Sequence, residues 1–205
     1  VRPLSVLALL AATLALCACS DKLFDAASNA TSPQGKTTFE STDVTGLAYG
    51  RDFRLTDHTG KQRSLADFKD KVVVVFFGYT YCPDVCPSTL SEMASAMKQL
   101  GAQADRVQVL FVTVDPERDT AELLSRYVPA FDPRFLGLLG DKAATDATVK
   151  EFRVFYQKVP GKDPGSYSVD HTAASYVFDP QGRIRLYIRN GQTADAIARD
   201  IKKLL

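Results

Sequence analysis

Two cysteines separated by three residues, Cys82-Pro83-Asp84-Val85-Cys86, stand where a strongly apolar run gives way to a helical pattern. Paired sulfur donors at such a junction suit two kinds of chemistry, soft-metal binding and dithiol redox exchange. The run before them, Val72-Val73-Val74-Val75-Phe76-Phe77, is β-branched and aromatic throughout, as expected of a strand covered on both faces. Gly78 and Tyr79-Thr80-Tyr81 carry the chain out of it. Pro87 suits a first helical turn, and Leu90, Met93, Ala94, Met97 and Leu100 recur at helical spacing, so a helix is expected from Pro87 to about Leu100. Cys86 is therefore expected near a helix N-terminus, where unpaired N–H groups and the helix dipole favour thiolate.

The elements around this pair fit one globular domain behind a leader. The chain has 205 residues, 45% of them hydrophobic, and a formal net charge of +1 with acids and bases mixed along it. No cluster of Lys and Arg marks a nucleic-acid surface, so no nucleic-acid partner is expected. Arg2 followed by an apolar run from Leu4 to Leu16 reads as a secretory signal, too short for a confident membrane span. Its end, Leu16-Cys17-Ala18-Cys19, is similar to a bacterial lipobox. Residues 1–18 are thus expected to be a lipoprotein signal peptide, with Cys19 lipidated and the protein held at the periplasmic face of a membrane in the bacterial cell envelope. Residues 19–45, rich in Ala, Ser, Thr, Asn and Gly, read as a flexible tether, and 46–205 as the folded domain. With Cys17 removed and Cys19 acylated, Cys82 and Cys86 are the remaining thiols, which excludes a multi-disulfide scaffold.

Within the domain, Phe53-Arg54-Leu55 and Ser64-Leu65 flank the turn Asp57-His58-Thr59-Gly60 and predict an N-terminal β-hairpin. Val107 to Val114 predicts a second buried strand, joined to the first by the cysteine helix in a right-handed parallel crossover. Asp119-Thr120-Ala121-Glu122 carries a helix-start pattern, with the helix running to about Tyr127. A short strand over Phe135 to Leu139 and a helix over Asp146 to Phe152 follow. Ser175 to Phe178 and Ile184 to Ile188, flanking Asp179-Pro180-Gln181-Gly182, predict an antiparallel hairpin, and Thr193 can cap a final helix. The expected class is α/β, a thioredoxin-like three-layer fold with a central mixed sheet.

The segment from Phe77 to Pro87 resembles the signature of the Sco family, also called SenC, of copper-binding proteins that assist cytochrome c oxidase assembly. Val112-Thr113-Val114-Asp115-Pro116-Glu117-Arg118-Asp119-Thr120 and Val169-Asp170-His171-Thr172-Ala173 resemble two further blocks of that family, and the likeness runs from about Gly46 to the end. It implies a copper site on Cys82, Cys86 and His171, one copper per chain. It also implies a metallochaperone that receives copper from other copper chaperones. The cargo would go to the dinuclear copper site of cytochrome c oxidase subunit II or another cuproenzyme, with reduction of that site's cysteines to thiols as a second duty. The donor chemistry agrees: thiolates select Cu(I), and an imidazole lets the same site hold Cu(II). The second histidine, His58, lies in the hairpin turn, where a solvated residue is the simpler reading. Asp84 and Asp115 are left out of the ligand set, as a helix-start acid and a turn residue that could tune the site from behind.

The competing reading is a membrane-tethered thiol-disulfide oxidoreductase, with Cys82 and Cys86 as the redox dithiol, or a copper or redox sensor. Against the reductase stand the absence of Trp, the three-residue gap, and His171-Thr172 where reductases of this fold carry a proline. A peroxidase of the peroxiredoxin type fits less well, since the Thr two residues before Cys82 does not match that family's spacing.

Overall fold

The computed structural model describes residues 38–205. The strand expected to be buried on both faces is so along its whole length: β4 (Val72–Gly78) has every residue buried. It sits mid-sheet because its run of β-branched and aromatic side chains can only be shielded by strands on both edges and layers on both faces. In chain order the strands are β1 (Thr42–Asp43), β2 (Leu55–Asp57), β3 (Gln62–Arg63), β4, β5 (Val107–Thr113), β6 (Leu136–Leu139), β7 (Tyr156–Pro160), β8 (Tyr167–His171), β9 (Ala174–Phe178) and β10 (Ile184–Arg189). The α-helices are α1 (Val85–Leu100), α2 (Ala121–Tyr127), α3 (Lys142–Glu151) and α4 (Ala194–Lys202).

Eight strands form one mixed sheet in the order β1-β10-β9-β4-β5-β6-β2-β3, while β7 and β8 form a separate two-stranded ribbon. The pairs β4/β5 and β5/β6 are parallel, and the other sheet pairs are antiparallel. Because side chains alternate across a strand, the two faces of β4 meet different layers. Phe77 packs edge-on against Phe152, just beyond α3, at 5.2 Å between ring centres. A Cβ placed on Gly78 would instead point at Cys86 of α1, and one on Gly137 of β6 would point at Leu124 and Val128 around α2. α4 lies alongside α1. The mixed sheet between helical layers is the expected three-layer, thioredoxin-like architecture, with the β2–β3 hairpin at its far edge.

Several boundaries differ from expectation for local reasons. α1 starts two residues before Pro87, so Cys86 lies inside its first turn. α3 starts at Lys142 because Asp141 caps it, its side chain accepting the Ala144 N–H at 2.7 Å. At α2 the cap is Thr120, which accepts the Leu123 N–H, while Asp119 turns inward and is fully buried. The tether was expected to reach residue 45, yet residues 38–45 already belong to the folded unit. Thr42 and Asp43 pair with Tyr187 and Leu186, and the buried Asp200 carboxylate accepts the N–H groups of Glu40 and Ser41 at 2.9 and 2.7 Å. The expected signal peptide 1–18, the rest of the tether and Cys19 lie outside the described residues.

The β7–β8 ribbon carries no alternating apolar signal, since β7 is exposed over most of its length, and it was not anticipated. It matters most for function, because His171 is its last residue.

Candidate metal centre

The C-terminal ends of β4 and β5 and the first turn of α1 converge on the two cysteines. Cys86 is completely buried, its sulfur lying over the end of β4 where Gly78 leaves room for it. A Cβ at Gly78 would come within 2.8 Å of Cys86 Sγ and 2.8 Å of the Phe111 ring. Glycine is required there by close approach, not by backbone angle. Gly78→Ala is therefore expected to cost about 1–3 kcal/mol in stability through overpacking. Denaturant unfolding checks it, and an unchanged midpoint would refute the tight fit.

Cys82 lies on the turn before the helix and is half-buried. Its sulfur accepts the Cys86 backbone N–H at 3.4 Å. The helix-start N–H therefore goes to Cys82, whose sulfur occupies the position of a capping acceptor. At Cys86 burial dominates: it pushes the thiol pKa far up, against a smaller opposing hydrogen bond from the Tyr79 backbone. The expectation that Cys86 is favoured as thiolate is thus reversed in the metal-free protein. Loss of water around the sulfur outweighs a dipole that acts through one turn.

His171 reaches the pair from the ribbon, with Nε2 3.7 Å from Cys86 Sγ. Its Nδ1 is 3.1 Å from the Thr172 carbonyl oxygen, which can only accept, so the proton sits on Nδ1 and the Nε2 lone pair faces the sulfur. Burial lowers the His171 pKa, only partly offset by the Thr172 carbonyl and Asp170, which keeps the ring neutral. A thiol hydrogen on Cys86 can donate to Nε2 in this state. The Tyr79 ring packs edge-on against the imidazole at 5.9 Å between centres. One ligand atom from each of Cys82, Cys86 and His171 lies within 4.8 Å of the other two. Two sulfurs and one imidazole nitrogen, converging on one point beside a half-exposed edge, can hold a soft or borderline metal ion.

The remaining acids and the second histidine fall elsewhere. His58 accepts the Gly137 N–H through Nδ1 at 3.0 Å, tying β2 to β6, and is not in the three-residue group. Asp84 is exposed at the helix start and makes no side-chain cap. Asp115 is fully buried and accepts from Arg118 Nε at 2.5 Å and from the Tyr167 hydroxyl at 2.8 Å. It touches the ribbon and not the sulfurs.

Asp119 is a supporting residue that sequence reasoning placed only in a helix start. Its carboxylate accepts the Thr80 hydroxyl at 2.6 Å, the Thr80 N–H at 3.1 Å and the Thr113 hydroxyl at 2.6 Å. Burial raises its pKa, restrained by those hydrogen bonds from Thr113 and Thr80. It pins the loop that leads to Cys82 onto the end of β5. The signal available in sequence was a second acid beside a residue already able to cap.

The family model described as SCO1/SenC matches residues 42–205. The bovine (Bos taurus) protein SCO2 homolog, mitochondrial, is 39% identical over 154 residues, covering 74% of this chain and 58% of the relative. The chain spans 53% to 60% of the length of the mammalian and fish mitochondrial relatives it matches. The solved structure of Bradyrhizobium japonicum ScoI with copper bound is 42% identical, with a TM-score of 0.72, covering 77% of this chain and 100% of that one. A SCO1/SenC family lipoprotein from Bacillus anthracis is 27% identical, with a TM-score of 0.66, covering 77% of this chain and 96% of that one. The family pattern runs through every element that carries Cys82, Cys86 and His171, and this chain belongs to the SCO1/SenC family.

Proposed function

We propose that this chain is an extracytoplasmic copper metallochaperone. It holds one copper ion, as Cu(I) or Cu(II), on Cys82, Cys86 and His171. It passes that ion to the dinuclear copper site of cytochrome c oxidase subunit II or another cuproenzyme, having received it from other copper chaperones. The observation that carries this reading is the convergence of two thiols and a neutral imidazole lone pair within 4.8 Å. The copper-bound Bradyrhizobium relative supports the choice of metal. The donor chemistry supports it independently, since the two sulfurs suit Cu(I) and the nitrogen extends the site to Cu(II).

Loading displaces protons. Cys86 is held as the thiol by burial, so a metal that takes its sulfur must release that hydrogen to solvent, and apparent affinity rises with pH. Cys82, half-exposed at the rim, is the sulfur an acceptor's ligand can approach first. That asymmetry suits transfer by ligand exchange at an open edge. The same dithiol could reduce an acceptor's disulfide to its two thiols, closing its own Cys82–Cys86 disulfide in exchange, yet simple reduction leaves the His171 lone pair facing Cys86 without a purpose.

Envelope localisation, with lipid on Cys19 and the domain at the periplasmic face of the membrane, is part of the proposal. The leader's pattern and the Bacillus lipoprotein relative support it. Reduced protein incubated with Cu(I) and desalted is expected to retain one copper per chain, and Cys82→Ser or Cys86→Ser to retain almost none. Wild-type retention by either serine variant would sink the dithiol site. Transfer of the bound ion to reduced, metal-free subunit II tests the acceptor.

A further inference from the structure

His171 owes its position to a ribbon that no backbone hydrogen-bond ladder joins to the main sheet. A lone two-stranded ribbon is marginal by itself, so side chains must hold it. Polar contacts from several segments do so. Tyr156 bonds Asp146 of α3, Lys158 pairs with Glu117, the Tyr79 hydroxyl meets the Val169 backbone, and Arg118 and Asp115 engage Tyr167. The Lys158–Glu117 pair is exposed, at 42% and 58%, and water screens it. In the Arg118–Asp115 pair the acid is fully buried and the base 23% exposed.

Arg118 differs from the other tethers in what else it touches. Its guanidinium lies 3.6 Å from the centre of the Tyr167 ring, 4.7 Å from Tyr81 and 5.8 Å from Tyr79. Tyr79 and Tyr81 belong to the loop that delivers Cys82, and Tyr167 to the strand that ends in His171. Nε binds Asp115 and Nη1 donates to the Tyr167 carbonyl at 3.0 Å. Nη2 is buried and makes no hydrogen bond to a described residue, leaving it to the surrounding aromatic faces. Asp115 is held in turn, its N–H donating to the Thr113 hydroxyl at the end of β5. Tyr167, the buried Val169 and His171 alternate along β8 and so share one face. Clamping Tyr167 at one end therefore aims the imidazole at the other.

We propose that Arg118 is a positioning residue: stacked among Tyr79, Tyr81 and Tyr167 and anchored on Asp115, it latches the ribbon carrying His171 to the loop carrying Cys82. This rests on the copper-site reading for its consequence, though the latch itself is a property of the metal-free protein.

Amide hydrogen exchange on the reduced, metal-free protein tests it, beside the nitrogen hyperfine signal of the Cu(II)-loaded form. Arg118→Ala is expected to speed exchange of the β7–β8 amides by about tenfold or more, while β4 and β5 amides keep wild-type rates. Its Cu(II) form should lose the imidazole nitrogen coupling, with Cu(I) retained. His171→Ala should lose the same coupling with ribbon exchange near wild type. Tyr167→Phe, a gentler change that keeps the ring and removes the bond to Asp115, should give a smaller acceleration confined to the same amides. Ribbon exchange within about twofold of wild type in Arg118→Ala overturns the latch, as does uniform acceleration of all amides. A wild-type Cu(II) form without nitrogen coupling would instead overturn the copper ligand set, whatever the exchange rates.

Discussion

Replacing His171 with Ala is expected to weaken Cu(II) binding by about 100-fold or more while leaving Cu(I) loading of the reduced protein nearly complete. Loss of a mere supporting residue around a metal ligand typically costs about 10–100-fold in affinity, and His171 would be a ligand itself. The harder ion loses its nitrogen donor, whereas two thiolates suit Cu(I) unaided. The sulfur-to-copper charge-transfer absorption of the Cu(II) form should fade or shift with the loss. Competition against a chelator of known affinity for each oxidation state measures both arms. A variant that binds Cu(II) like wild type, with unchanged absorption, would remove His171 from the ligand set and favour a dithiol oxidoreductase. In that case Cys82→Ser and Cys86→Ser should abolish disulfide reduction, and His171→Ala should spare it.

Oxidation of the dithiol should have the larger effect still, with the disulfide form retaining essentially no copper of either oxidation state. A disulfide has no thiolate to offer, and copper affinity depends on thiolate. The geometry assigns the movement. Cys86 is walled in by Gly78 and Phe111, while Cys82 lies on the half-exposed turn, so Cys82 must swing inward to close the roughly 2.05 Å bond. Its sulfur then gives up the Cys86 N–H it accepts in the reduced form. Loading reduced and oxidised protein in parallel, desalting, and counting copper per chain decides the matter. Equal retention would exclude the two sulfurs as ligands, and recovery of binding after added reductant should be complete if oxidation acts only through them.

The dithiol behind the second prediction announces itself in the sequence. Cys82 and Cys86 follow an uninterrupted apolar strand and precede a helical periodicity, and that juxtaposition by itself states where they lie and how near each other. The two parallel strands, the crossover helix between them, the late hairpin and the capped final helix were legible for the same reason. Their apolar patterns repeat with the periods that burial imposes on strands and helices. The site's third member was legible only through resemblance, since one histidine in a polar stretch carries no such pattern. Its ribbon was invisible because β7 is mostly exposed, and an exposed strand has nothing to alternate.

From sequence alone came the identity of the donors, the order of the elements and the chemistry two thiols and an imidazole can support. The tertiary structure decided which of those groups meet and in what state. It turned Asp119 inward to hold the cysteine loop, assigned the helix-start N–H to Cys82, and seated Cys86 against a glycine that admits no side chain. It also gathered three tyrosines from two segments around Arg118. The reason is common to all of them. Periodicity records which side of an element is buried, but desolvation, close approach and long-range stacking depend on what arrives from elsewhere in the chain, and those distances exist only once the layers have packed.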